Sequence, residues 1–211
     1  MKYYPIFLDI AGKKCVVVGG GDVAARKVKR LCESGAEVLV VSPELAPELI
    51  ALKSARKIEH AAARYDVQHL EGAVLIIGAT DNDKINEAIS SDARRLGIPV
   101  NIVDDPQKCD FILPSIVERG DLIIACSTGG GSPALARCLR EELEAAYGEE
   151  YGILLKLLGR LREKMEKNAG VGKVWFEQLM TKGLMEAIRR KDDNKVKEII
   201  REVTGEEVHL D

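Results

Sequence analysis

Three small residues at fixed spacing carry the first chemical signal in this sequence. Gly19, Gly21 and Ala24 fit G-x-G-x-x-[G/A] within the run KKCVVVGGGDVAARKVKRLCESGAEVLVVS, residues 13–42. Ahead of them, Cys15-Val16-Val17-Val18 is the short apolar, β-branched run that a strand buried on both faces shows. In such a frame the first glycine makes the tight turn, the second lets backbone approach a pyrophosphate, and the small third residue packs helix on strand. The amides that open the following helix point at the ligand, and the helix dipole adds a partial positive charge. Val23, Val28 and Leu31 stand at helical spacing, Gly35 suits the helix stop, and Glu37 to Val41 supplies a second strand. The fingerprint alone is weak; inside a complete βαβ frame it predicts a dinucleotide site, against the competing reading of a tight turn that binds nothing.

Carboxylates give the second signal. Asp104 follows the strand-like run Val100 to Val103, and folds of this kind place ligands at the carboxyl ends of their parallel strands. A carboxylate there can serve as a general base. Spacing alone equally fits a cap or turn residue ahead of Pro106, a role open to Asp105 as well. Selectivity for NAD usually rests on an acidic residue about 20 positions past the glycines, bound to the ribose hydroxyls. Here that region reads Ser42-Pro43-Glu44. Glu44 is the candidate, with the alternative that it merely opens the next helix. No arginine stands beside it to welcome a 2′-phosphate, which favours NAD over NADP.

Ser127-Thr128-Gly129-Gly130-Gly131-Ser132 is a second glycine-rich turn before a helix, and that helix carries Arg137 and Arg140. It reads either as a second anion site, with the Thr128 hydroxyl and the arginines contributing, or as a close-packing turn at a dimer interface. His60, His69 and His209 are too scattered for a preformed metal site, so no bound metal is expected. The five cysteines are odd in number and lack C-x-x-C spacing, which suggests neither a disulfide framework nor a zinc cage.

The elements that must position these groups follow from the apolar pattern. Strand and helix alternate from residue 13 to 103, with Ala73 to Ala79 another buried strand and Thr80 or Asp81 placed to cap the helix carrying Ile85 and Ile89. The expected fold is α/β: a Rossmann-like, doubly wound parallel sheet over residues 1–110. Residues 111–148 read as a small α+β unit for dimerisation and substrate binding. Its hairpin strands are expected at Phe111-Ile112-Leu113-Pro114 and Leu122 to Cys126, with turn chemistry in Val117 to Asp121. Residues 149–211 read as a helical domain, beginning with a helix from Ile153 to Lys167. A unit of two strands and one helix is too small to fold alone, so a homodimer is expected. The chain has 211 residues, 46% apolar and 31% charged, with a net charge of -3, which gives no hint of nucleic acid. No apolar run approaches the roughly 20 residues that cross a bilayer, and the start MKYYPIFLDI lacks signal-peptide features, so no membrane association and a cytoplasmic location are expected.

Several stretches in order resemble the precorrin-2 dehydrogenase family of sirohaem biosynthesis: Tyr4 to Asp9, Val18 to Lys27, Ala79-Thr80-Asp81, Asn101 to Asp105, Phe111 to Ile116 and Ser127 to Arg137. The resemblance is close over about residues 3–145 and holds only in character over the helical tail. It implies NAD-dependent oxidation of precorrin-2 to sirohydrochlorin, with Asp104 at the family's catalytic aspartate. It also implies cofactor contacts at Asp22, Val23, Pro43 and Glu44, joined by Gly19, Gly21 and Thr80. Precorrin-2 is rich in carboxylates, which Thr128, Gly129 and Arg137 are expected to hold. Some members also insert ferrous iron into sirohydrochlorin, and that bifunctional alternative stays open. The methyltransferase part of the fused enzyme is missing from this sequence, so precorrin-2 is expected to be supplied to the protein. A non-catalytic NAD-sensing module is the rival from another class; it needs neither Asn101 to Asp105 nor Ser127 to Arg137.

Overall fold

The apolar run at residues 15–18 lies in β1 (Lys14–Val18), the centre of a five-stranded parallel sheet ordered β3-β2-β1-β4-β5. Its other strands are β2 (Glu37–Val41), β3 (Glu59–Ala61), β4 (Leu75–Gly78) and β5 (Val100–Ile102). The computed structural model describes residues 2–164 and 169–208. Successive side chains on a strand take opposite faces. Cys15 and Val17 therefore join Ala24, Val28 and Leu31 of α1 (Asp22–Glu33) and Leu49 of α2 (Pro47–Ser54) on one side of the sheet. Val16 and Val18 join Ile89 and Ala93 of α3 (Asp83–Leu96) on the other. Covered on both faces, β1 and β4 have no polar side to show, and they read as continuous apolar runs. This is the doubly wound, Rossmann-like sheet expected from the alternation. Its strand order reverses between β1 and β4, where such folds open a ligand crevice beyond the strands' carboxyl ends.

The chain divides into two compact units, Met1–Leu113 and Pro114–Asp211. In the second, β6 (Ser115–Arg119) and β7 (Leu122–Cys126) pair antiparallel around Gly120-Asp121, and α4 (Pro133–Ala146) packs on them. The first hairpin strand thus lies further along than the expected Phe111-Ile112-Leu113-Pro114. Phe111 belongs to the first unit: it packs on the α1-side core, and its carbonyl accepts a 2.9 Å hydrogen bond from Asn101 Nδ2. Pro114 has no N–H to give a ladder. Four further helices follow, α5 (Glu150–Lys164), α6 (Ala169–Thr181), α7 (Leu184–Arg189) and α8 (Asp193–Thr204), around a core that includes Leu157, Leu179, Leu184, Ile188 and Ile200. Of the helix expected at Ile153 to Lys167, the last three residues fall outside the described residues.

Candidate functional site

Val18, Gly78 and Ile102 stand in register across β1, β4 and β5. Gly19, Ala79-Thr80 and Val103-Asp104 therefore leave the sheet side by side at its carboxyl edge. Gly19 turns the chain at φ +127°, and a Cβ there would overlap the carbonyl of Ala79. A Cβ on Gly20 would overlap the carbonyl of Glu44 and lie 2.6 Å from Ser42 Oγ. Gly21 differs: nothing stands within 4 Å of the place its Cβ would take. It is the N-cap of α1, with no side-chain cap on the first-turn amides, and Asp22 and Val23 make that first turn. The glycines thus divide the work, Gly19 and Gly20 allowing close backbone packing and Gly21 leaving room in front of the helix for a ligand.

The loop after β2 is fastened to this turn. The Ala46 amide donates to the Gly20 carbonyl at 2.7 Å, which brings Ser42, Pro43 and Glu44 alongside the glycines. Glu44 is exposed. His60 holds the loop from β3: its Nε2 donates to the Ser42 carbonyl at 2.9 Å, while Nδ1 accepts from Lys53 Nζ at 3.1 Å, a pattern that fixes the Nε2–H tautomer. His69 lies elsewhere, in a capping box with Asp66, and His209 is outside the described residues. Among the described residues no group of three or more His, Cys, Asp or Glu side chains is placed to hold a metal.

Thr80 follows β4, and its hydroxyl donates to Asn86 Oδ1 at 2.8 Å while Asn86 Nδ2 donates to the Thr80 carbonyl at 2.9 Å. With its hydroxyl committed there, Thr80 does not cap α3, and neither does Asp81. Asn82 is the cap, accepting the amides of Lys84 and Ile85 at 3.0 and 3.1 Å. Asp104 is exposed and sits at φ +61°, in the left-handed region that glycine takes freely and that Asp and Asn enter more readily than other side chains. The loop after it is clasped from behind. The Cys109 S–H points at the carbonyls of Ile102 and Asp105, 3.2 Å from each, and its sulfur accepts the Ile102 amide at 3.2 Å. Burial raises the pKa of Cys109, which keeps it a protonated donor. Asp105 is the turn residue here, accepting the Gln107 amide at 3.2 Å.

In the second unit, the glycine-rich loop satisfies much of itself. Thr128 Oγ1 donates to the Ser132 carbonyl at 3.1 Å and accepts the Ser132 amide at 3.0 Å, and the Gly129 amide donates to Ser127 Oγ at 3.0 Å. Arg137 is exposed and pairs with Glu141 at 2.9 Å. Thr128 and Gly129 therefore shape the loop, and Arg137 is an exposed charged group on the helix that follows it.

Comparison with known proteins gives this geometry a family. Residues 6–115 match the family model described as "Putative NAD(P)-binding", and residues 119–146 match "Sirohaem biosynthesis protein central". The chain belongs to this sirohaem synthase family of NAD(P)-binding proteins. A sirohaem synthase of Nitrosomonas eutropha is 46% identical over 169 residues, covering 80% of this chain and 36% of that protein. Sirohaem synthase 1 of Aeromonas salmonicida is 38% identical over 211 residues, covering 98% of this chain and 45% of that protein. The chain thus spans less than half the length of these two curated relatives. A solved structure named "SirC, precorrin-2 dehydrogenase" superposes with a TM-score of 0.74, covering 97% of this chain and all of that one at 24% identity, a likeness of fold.

For a member of the sirohaem synthase family, the turn at Gly19 to Gly21 fits a nicotinamide dinucleotide: free first-turn amides, open space at Gly21, and an acidic residue above Gly20. Five supporting residues had no assigned role in the sequence. Gly20 occupies an unspecified place in the fingerprint, and Asn86, Asn101, Cys109 and His60 act through side-chain bonds to residues between 4 and 18 positions away, which no short motif records. A buried amide within an apolar pattern, as at Asn86 and Asn101, is the one signal that marks two of them.

Proposed function

We propose that this protein oxidises precorrin-2 to sirohydrochlorin with NAD. The observation that carries the reading is the meeting, at one sheet edge, of an open glycine turn and an exposed carboxylate without a structural task, in a chain of the sirohaem synthase family. The reaction removes a hydride and a proton from the macrocycle. NAD accepts the hydride when bound. The α1 amides and Gly21 hold its pyrophosphate, Asp22, Val23, Pro43 and Thr80 border it, and Glu44 binds the adenosine ribose hydroxyls and repels a 2′-phosphate. Asp104 receives the proton, with the clasp behind it holding the backbone on either side of Asp104 in place. Arg137 exchanges Glu141 for a substrate carboxylate, which an exposed ion pair permits at small cost, and Thr128 and Gly129 hold the loop that leads into its helix.

Pairing of two copies supports the second unit. Ile123 of β7 and Leu135 of α4 are 43% and 51% exposed, more apolar surface than a hairpin and helix keep in water, and a homodimer covers it. Scattering in solution is expected to give twice the 23.1 kDa chain mass. Iron insertion is a second reading, favoured by the relatives' name, since sirohaem is the iron-bearing product; ferrous iron is then a substrate and Asp104 takes protons from the ring nitrogens. The test of the main reading is anaerobic incubation with precorrin-2 and NAD. Sirohydrochlorin and NADH appearing in equal amounts support it, and NAD binding without turnover favours the sensing module instead.

A further inference from the structure

Among the described residues, Lys27 of helix α1 is a partly buried cation held by no ion pair or hydrogen bond. Side chains on a helix lean toward its N-terminus, and the N-terminus of α1 is at the carboxyl edge of the sheet. Lys27, in the second turn, therefore sends its ammonium back toward that edge. Val103 packs into the same core as Ala24 and Val28, which flank Lys27 on the buried side of the helix, and this sets the next residue, Asp104, near Lys27. The two charges interact: burial and then Arg26 push the Lys27 pKa down, while Asp104 raises it. Among the described residues neither an ion pair nor a hydrogen bond holds the Lys27 ammonium. Three other half-buried cations are ion-paired, Lys108 with Asp105 at 2.9 Å, Arg119 with Glu149 at 3.4 Å and Arg140 with Glu141 at 3.2 Å, and Lys14 donates to the Glu71 carbonyl at 2.6 Å. Withdrawing an ammonium from water without a partner is costly, and an anionic ligand supplies what the fold does not.

We infer that Lys27 binds a carboxylate of the tetrapyrrole beside Asp104, and so sets which edge of the macrocycle faces the base. This deepens the proposed oxidation and rests on it for the identity of the anion. The bound cofactor's pyrophosphate is the other anion near this edge, but it belongs at the first-turn amides, one turn further toward the N-terminus.

Lys27→Met keeps the length of the side chain and removes its charge, and Lys27→Arg keeps the charge. Affinity for sirohydrochlorin, followed anaerobically through the tetrapyrrole's own absorbance, is expected to fall about 10- to 100-fold in Lys27→Met, the range of one charge-assisted hydrogen bond. KM for precorrin-2 rises in parallel, NAD affinity stays at the parent value, and Lys27→Arg recovers most of the loss. Unchanged sirohydrochlorin affinity in Lys27→Met overturns the inference, as does a loss that falls on NAD instead. If the parent binds sirohydrochlorin but does not oxidise precorrin-2, the proposed activity fails alone and Lys27 is judged on binding. A parent that binds no sirohydrochlorin overturns both.

Discussion

Asp105 Oδ2 lies 2.9 Å from Lys108 Nζ, while its other oxygen accepts the Gln107 amide at 3.2 Å. Its neighbour Asp104 makes no such bonds among the described residues and faces solvent near Lys27. Two adjacent carboxylates that spacing could not separate are thus divided by their surroundings, one into a turn cap and one into a group available for chemistry.

Asp105→Asn is therefore expected to act on stability. The Lys108 hydrogen bond holds the Asp105 carboxyl below its ordinary pKa. A depressed folded-state pKa contributes stability that is present above the unfolded value and lost as pH falls through the folded one. Thermal midpoints from neutral pH to pH 3 are expected to show the variant below the parent at neutral pH, with the gap closing in acid, while turnover at neutral pH stays within about threefold, as expected of a residue outside the acid–base step.

The glycines give a second contrast. Gly21→Asp puts a side chain and a negative charge into the open space before α1, so NAD binding is expected to vanish by calorimetry while the fold persists. Gly20→Ala drives a methyl into the Glu44 carbonyl and is expected to lower stability by about 1–3 kcal/mol, the range for overpacking. Equal effects on stability from both changes would contradict this division.

Glu44 is proposed to choose between the dinucleotides. Glu44→Arg replaces a ribose acceptor with a phosphate partner, and the ratio of NAD to NADP affinity is expected to fall at least about tenfold. An unchanged ratio places the selection elsewhere.

Cys15 is fully buried, and burial pushes its thiol up to about 11 from 9.0. Between those values the unfolded chain loses a proton that the folded one keeps, so stability falls as pH rises through that window. Cys15→Ala removes this contribution, and its midpoint, lower at neutral pH because of the cavity, is expected to decline less steeply than the parent's from pH 9 to 11.

How much the sequence disclosed depended on whether a residue's task was local. β1 and β4 were legible because strands buried on both faces cannot hide their apolar character, and the glycine turn because its pattern is short and contiguous. The first hairpin strand was misplaced because Phe111, apolar and strand-like, is claimed by Asn101 and the α1-side core, contacts no local pattern records. Thr80 and Asp81 fitted a helix cap as well as Asn82 did, and the bond from Thr80 to Asn86 decided it. Lys27 escaped because apolar periodicity treats charged helix positions as solvated, whereas its stem lies half-buried at the sheet edge.

The central claim is that Asp104 removes the proton as NAD takes the hydride. Asp104→Asn preserves size and accommodates the left-handed backbone, since asparagine is tolerated at positive φ. With precorrin-2 and NAD held at saturation under anaerobic conditions, the rate of sirohydrochlorin appearance is expected to fall about 10²- to 10⁴-fold, with NAD affinity unchanged. Sirohydrochlorin formed at near the parent rate by Asp104→Asn would contradict the account.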